Sequence, residues 1–170
     1  PMATSIRDTY ITGLRNAHAL EAQAIQLCER QVERLENYPE MRERLRQHLD
    51  ESRRQQERIE RILQGLGTSH STLKDIGTSI MGNLAAIGNA VMQDEVMKNT
   101  FANYAFEHFE IASYRALLEM ADAAGDSIGP PLLQQTLDEE IRMAEWIDQH
   151  LRQNVRRYIE REAKGLKSGV

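Results

Sequence analysis

Apolar residues recur every three or four positions along four segments of the chain, which is the spacing of helices that bury one face. The segments cover residues 5–36, 39–66, 94–124 and 131–163. All four prolines lie outside these segments or at their first residue, and runs of alternating β-branched and aromatic residues are absent. The sequence therefore predicts an all-α protein with four long helices.

A long connection separates the second and third predicted helices. Residues 67–93 are rich in Gly, Ser and Thr at first and then become apolar from Leu73 to Ile87. This pattern predicts a loop and a short extra helix that covers one end or flank of the other helices. Such a connection lets the third helix run parallel to the second. We therefore expect two helical hairpins, packed as a four-helix bundle in a single domain.

Acidic residues interrupt the apolar faces at a regular interval. Glu21 is followed thirty positions later by Glu51, and Glu110 is followed thirty positions later by Glu140. With a rise of ~1.5 Å per residue, the four glutamates reach similar heights in the two hairpins. A buried carboxylate is costly unless it is paired, protonated or bound to a cation. We therefore predict that a multivalent metal neutralises them.

Two further residues lie one helical turn from these glutamates. His48 precedes Glu51 by three positions and Glu107 precedes Glu110 by three, so that each pair shares a helical face. Imidazole and carboxylate together suit iron, manganese or zinc, and six such ligands favour a two-metal site. The predicted metal ligands are Glu21, His48, Glu51, Glu107, Glu110 and Glu140. His18 has the same spacing to Glu21, which makes it an alternative ligand, but we interpret it as a surface residue or a residue beside the ligands.

The acidic positions also admit an interpretation in which no metal is bound. In that interpretation Arg115 or Arg142 neutralises the carboxylates in a buried salt-bridge network. Tyr104 and Tyr114 are interpreted as core residues whose hydroxyl groups are hydrogen-bonded nearby. Cys28 is the only cysteine of the chain and lies among apolar helix positions, which indicates a buried, inert thiol.

Composition and charge argue against nucleic acids and membranes as partners. The chain of 170 residues has 26 acidic and 21 basic residues, a formal charge of −5, and basic residues that are interleaved with acidic ones. A nucleic-acid partner is therefore not expected. No apolar run approaches the ~20 residues of a membrane span, and no basic segment followed by an apolar one begins the chain. We expect a cytoplasmic protein without a membrane partner.

Four helix motifs carry a resemblance to a known family. They are Asn16-Ala-His-Ala-Leu-Glu-Ala-Gln, His48-Leu-Asp-Glu-Ser, Phe106-Glu-His-Phe-Glu-Ile-Ala-Ser-Tyr and Thr136-Leu-Asp-Glu-Glu-Ile-Arg-Met-Ala-Glu-Trp. Together they resemble the YciE/YciF family of bacterial ferritin-like stress proteins, more closely its YciE branch. The resemblance implies a ferritin-like four-helix bundle with a di-iron centre. It also implies a homodimer and an activity that is sometimes described as ferroxidase.

The sequence departs from related patterns in two places. Ferritins and rubrerythrins supply a Glu-x-x-His pair from each of two helices, whereas this chain contains no such pair and has the reverse order at His48. Ala144 stands where the YciF branch tends to have an aspartate.

Two classes of function follow from these features. The first is an oxidoreductase with two iron ions as cofactors and O2 or peroxide as oxidant; manganese ions would instead favour a catalase-like reaction. The second is a non-catalytic assembly protein whose core carboxylates are structural or bind zinc, with residues 76–87 as a dimer interface. Metal content and the response to an oxidant discriminate between the two classes.

Overall fold

The computed structural model describes residues 5–70 and 91–169. These ranges contain four α-helices, which are α1 (Ile6–Glu33), α2 (Pro39–Gly65), α3 (Glu95–Ala123) and α4 (Gly129–Ala163). The described ranges contain no strand, so the predicted all-α class is confirmed, and every helix end lies within three residues of its predicted position. No helix in these ranges is long and apolar enough to cross a bilayer.

Most of the predicted crossover falls in residues 71–90. The short extra helix and the dimer interface at residues 76–87 that the sequence predicts therefore lie outside the described residues.

Local chemistry accounts for where the helices begin and end. Ser5 and Asp94 each precede a helix, and their side chains accept a hydrogen bond from the backbone N–H three residues further along. Gly67, Gly125 and Gly165 follow α2, α3 and α4 with φ angles of 76°, 70° and 68°. This left-handed conformation suits glycine because glycine has no Cβ.

The four helices pack as a bundle of two hairpins. α1 packs against α2 and α3, and α4 packs against α3 and α2. Arg34, which follows α1, is ion-paired with Glu95 at the beginning of α3, and Tyr10 near the beginning of α1 is hydrogen-bonded to Asp126 after α3. These contacts make α3 antiparallel to α1 and hence parallel to α2. The predicted ferritin-like arrangement is therefore confirmed.

The apolar core of the described residues has two large clusters and a small third one of Leu20, Ala24 and Phe106. The first contains Tyr10, Leu14, Ile59, Ile62, Leu63, Ile111, Tyr114, Leu117, Leu133 and Leu137 among its members. The second contains Cys28, Val32, Leu35, Tyr38, Met41, Leu45, Met97, Met143 and Ile147 among its members. Every helix contributes to both large clusters, and on α4 Glu140 lies between Leu137 of the first cluster and Met143 of the second. A polar band thus crosses the bundle with apolar packing on either side.

Candidate metal centre

All six predicted ligands lie in this polar band, and every helix contributes at least one of them. None of the six has more than 6% of its surface exposed. His48, Glu107, Glu110 and Glu140 each bring one potential ligand atom within 4.8 Å of the others. Glu21 adjoins this group through Glu110, and Glu51 adjoins it through His48. The equal spacing in the two hairpins therefore does bring the acidic side chains together.

His48 connects carboxylates from three helices. Its Nδ1 lies 3.3 Å from Glu51 Oε2, and its Nε2 lies 3.0 Å from Glu107 Oε1 and 3.8 Å from Glu140 Oε2. Burial disfavours the imidazolium, but Glu107 and Glu140 outweigh this effect and raise the pKa of His48 well above its usual range. Without a metal, His48 therefore serves as a cation at the centre of the band.

Glu21 is held in place by a tyrosine on the neighbouring helix. The hydroxyl of Tyr114 donates a hydrogen bond to Glu21 Oε1 at 2.6 Å, and both side chains are buried. Glu21 also lies within hydrogen-bonding range of Glu110. The interpretation of Tyr114 as a core residue with a hydrogen-bonded hydroxyl is confirmed, and its partner is one of the predicted ligands.

Several carboxylate oxygens in the band have no conventional donor. Among the described residues, no hydrogen-bond donor reaches six of them, namely Glu21 Oε2, Glu107 Oε2 and both oxygens of Glu110 and Glu140. The carboxyl groups face one another instead, Glu21 towards Glu110 and Glu107 towards Glu140. Two carboxyl groups can form a hydrogen bond only if one of them is protonated. Protons or a bound cation must therefore fill the space between these oxygens.

The acidic side chains divide into two groups by their affinity for protons. Burial is the main cause that raises the pKa of Glu21 to about 7, and burial together with neighbouring carboxylates raises the pKa values of Glu110 and Glu140 well above their usual range. Burial acts in the same direction on Glu107 and Glu51, but the imidazolium of the band outweighs it and lowers their pKa values. Near neutral pH the metal-free centre therefore contains both carboxylates and carboxylic acids.

The free energy of unfolding of the metal-free protein should fall as the pH rises from about 5 to 8. This interval begins just above the ordinary pKa of glutamate and includes the raised pKa of Glu21. The folded-state pKa values of Glu21, Glu110, Glu140 and His48 are raised, so their contribution to stability is present at low pH and is lost as the pH rises through them. A shift in Glu21 from 4.5 to about 7 would alone lower the free energy of unfolding by roughly 3 kcal/mol by pH 8.

Urea unfolding in the presence of a chelator, repeated across this pH range, measures the effect. A free energy of unfolding that stays constant or increases between pH 6 and 8 would contradict the assigned pKa shifts. The same titration with bound metal is the comparison, because a cation removes the need for these protons.

A buried ion pair lies next to the centre and was not predicted from the sequence. Arg58 donates to Glu139 through Nη1 at 2.5 Å and through Nη2 at 3.1 Å, and Nη1 also lies 3.1 Å from Thr136 Oγ1. Gln55 donates to the same carboxylate at 3.2 Å. Glu139 therefore has its charge matched by protein donors, whereas the adjacent Glu140 does not.

The structural network proposed around Arg115 and Arg142 does not occur in the described residues. Both arginines are exposed, and neither forms an ion pair with a described carboxylate within 4.0 Å. Arg44 lies closer to Glu51, with its Nη1 3.7 Å from Glu51 Oε1, and the charge of Arg142 also helps to lower the pKa of Glu51. Gln47 donates to the same Glu51 oxygen at 3.2 Å. Gln47 thus orients Glu51 with Arg44 nearby, whereas among the described residues no donor reaches Glu110 or Glu140.

Three other residues that the sequence singled out, Cys28, Tyr104 and His18, lie outside the converging group of ligands. Cys28 is buried, and this burial raises the pKa of its thiol to about 12, as expected for an inert side chain. Tyr104 is only partly buried, so its interpretation as a core residue is confirmed only in part; it packs against both large apolar clusters, and its hydroxyl lies 3.4 Å from Asp148 Oδ1. His18 does not join the four converging side chains and contacts Glu60 instead.

Known proteins share the sequence pattern of this chain. The family model described as "Domain of unknown function (DUF892)" matches residues 5–160. Protein YciF of Escherichia coli (strain K12) is 27% identical over 143 residues, which span 80% of this chain and 84% of that protein.

Solved structures show the same similarity. A protein from Xanthomonas campestris pv. campestris is 35% identical, with a TM-score of 0.81 over 94% of this chain and 99% of that one. The crystal structure of the E. coli stress protein YciF superimposes with a TM-score of 0.78 at 23% identity, over 91% of this chain and 99% of that one. The placement in the YciE branch stays a prediction. The match over residues 5–160, together with these relatives, shows that the chain belongs to the YciE/YciF family described as DUF892.

Proposed function

We propose that this protein is a non-haem di-metal protein that binds two iron ions and reacts with O2 or peroxide in a stress response. The ions would be held by Glu21, His48, Glu51, Glu107, Glu110 and Glu140. The observation that carries the proposal is the set of six buried carboxylate oxygens that no described donor reaches. A core without a cation would leave these oxygens dependent on protons alone.

The donor set fits two divalent cations in kind and in charge. Five carboxylates would carry five negative charges and two divalent cations four positive ones, so the filled site would have a net charge of −1 with neutral His48. Carboxylate and imidazole donors suit iron, manganese and zinc. A site with only these donors does not choose among the three metals, and the choice of iron rests on the resemblance to the family.

Neighbouring side chains are arranged to hold the donors in position. Tyr114 donates a hydrogen bond to one oxygen of Glu21, and Gln47 donates to one oxygen of Glu51, with the charge of Arg44 3.7 Å from the same oxygen. The other oxygen of Glu51 faces His48, and the Glu21 side chain also interacts with Glu110. Outer partners of this kind orient metal ligands and raise the affinity for metal. The two large apolar clusters exclude water from either side of the band.

Bound iron would supply electrons, because oxidation of two Fe(II) to Fe(III) provides the two electrons that convert H2O2 and two protons to two water molecules. The protein contributes carboxyl groups that stay protonated until metal binds. Glu110 and Glu140 hold protons on their carboxyl oxygens in the metal-free state, since burial and neighbouring carboxylates raise their pKa values. Metal binding is therefore expected to release protons from these groups.

The decisive experiment measures metal content and the response to an oxidant. The protein is purified without chelator, and iron, manganese and zinc per chain are determined by elemental analysis. It is then loaded with Fe(II) without oxygen and exposed to O2 or peroxide while the absorbance is recorded. About two iron ions per chain and a near-ultraviolet band that depends on the oxidant are expected.

Two outcomes would overturn the proposal. Either the absence of tightly bound metal, or zinc alone without a spectral response, would leave a helical assembly protein whose core carboxylates are structural. The proposed homodimer is tested separately, by sedimentation equilibrium of the metal-free and metal-loaded protein.

A further inference from the structure

A second group of metal-binding side chains lies outside the central band. It consists of His18 on α1, Glu60 on α2 and His70 in the loop that follows α2. His18 Nε2 lies 2.8 Å from Glu60 Oε1, and the rings of His18 and His70 are stacked with centroids 4.1 Å apart. One potential ligand atom of each residue lies within 4.8 Å of the other two. Three separate parts of the chain therefore meet at one point.

The loop that carries His70 is fastened to α1 immediately before this residue. Arg15 donates through Nε to the backbone carbonyl of Ser69 at 3.0 Å and through Nη2 to Thr68 Oγ1 at 2.6 Å. Arg7 donates to the carbonyl of Leu66 at 2.6 Å. These contacts position His70 over His18 without help from the imidazole rings. A ligand set fixed in this way loses less conformational entropy when it binds an ion.

The group is open to solvent, in contrast to the central band. The His18 side chain is 10% exposed, that of Glu60 is 38% exposed, and His70 is exposed. Although His18 is only three positions from Glu21, its Nε2 is directed at Glu60 and not at the central carboxylates. The buried imidazole supplies a fixed donor, while the other two side chains leave room for water as a further ligand.

We propose that His18, Glu60 and His70 form a second metal site, which binds one divalent transition-metal ion of the zinc class. Two imidazole nitrogens and one carboxylate, completed by water, are a usual ligand set for zinc, and two histidines with one carboxylate also bind Fe(II). The bound ion would link α1, α2 and the loop after α2. Its binding would add to that of the central site and would not depend on it.

The competing explanation is a purely structural contact. In that case Glu60 and His18 form a partly exposed ion pair, and His70 only stacks on the imidazole. Such a contact needs no metal and would contribute modestly to stability. The two explanations differ in the number of ions bound and in whether both ring nitrogens respond to metal.

The test compares the chelator-stripped wild-type protein with the His70→Ala variant by equilibrium dialysis against buffered micromolar Zn2+. His70 is exposed and lies in a loop, so the variant should fold, and circular dichroism verifies this. His108→Ala is the matched control, because His108 is an exposed histidine on α3 that belongs to neither metal-binding group. Glu60→Gln is the second test variant and keeps the size of the side chain.

We expect His70→Ala and Glu60→Gln to bind one Zn2+ per chain fewer than the wild type and the His108→Ala protein. In long-range 1H–15N spectra of the wild type, ring-nitrogen signals of both His18 and His70 should shift with Zn2+ until one equivalent has bound at this site. Equal zinc stoichiometry in all four proteins, or a His70 ring that does not respond to Zn2+, would overturn the proposal. Loss of the central ions in a Glu140→Gln variant would leave this site intact, so the two metal assignments fail independently.

Discussion

The Glu140→Gln substitution is expected to abolish tight metal binding at the central site while the bundle stays folded. Glu140 has no exposed surface, and no described donor reaches either of its oxygens. It is also the only one of the six predicted ligands that α4 contributes. Glutamine preserves the shape of the side chain but removes its charge. Since the loss of a residue that merely orients a ligand costs about 10- to 100-fold in metal affinity, we expect a loss of about 100-fold or more here.

Competition titration against a chromophoric chelator measures this loss. Glu145→Gln is the matched control, because Glu145 is an exposed glutamate on the same helix. The control should bind metal as the wild type does. Unchanged stoichiometry and affinity in the Glu140→Gln protein would rule out Glu140 as a ligand.

The same substitution should not lower the stability of the metal-free protein, although it abolishes tight metal binding. A neutral amide replaces a carboxyl group that is deprotonated only at the expense of burial next to Glu107. The metal-free variant should therefore be at least as stable as the wild type at pH 8, because it no longer buries an ionisable group without a matching cation. A gain in stability together with a loss of metal affinity would show that Glu140 serves metal binding and not the stability of the fold.

The sequence was sufficient to predict the helices and the level at which the acidic residues meet. Helical periodicity shows which positions face inward, and the thirty-residue interval in each hairpin relates the height of Glu21 to Glu51 and of Glu110 to Glu140. Both relations depend only on the rise per residue and on short turns within the hairpins. They are local properties, so they survive errors of a few residues in the helix ends.

Contacts between side chains of different helices could not be predicted in this way. Glu139 and Glu140 are adjacent in sequence and both are buried, yet Arg58 pairs with Glu139 and leaves Glu140 unmatched. Which acid is paired depends on the rotation of α4 relative to α2, to an accuracy that periodicity does not provide. The hydrogen bond from Tyr114 to Glu21 depends in the same way on the relation between α3 and α1.

The Arg58→Ala substitution is expected to lower the free energy of unfolding by about 3 to 5 kcal/mol, the usual effect of removing one partner from a buried ion pair. Both side chains of the pair are only 8% exposed, and Arg58 donates to both oxygens of Glu139. Urea unfolding in the presence of a chelator measures the change. Arg53→Ala is the matched control on the same helix, because Arg53 is 49% exposed and its ion pairs with Glu29 and Asp50 are at the surface.

The control should lose no more than about 1 kcal/mol, since exposed ion pairs contribute little. An Arg58→Ala protein as stable as the control would show that Glu139 does not need a cationic partner. The pair can also be removed as a unit by combining Arg58→Met with Glu139→Leu, which replaces two buried charges by apolar groups and should restore most of the lost stability. If this double variant still binds metal with wild-type stoichiometry, Glu139 is not a ligand. Pairing with Arg58 would then distinguish the structural carboxylate of Glu139 from the metal-binding carboxylate of Glu140.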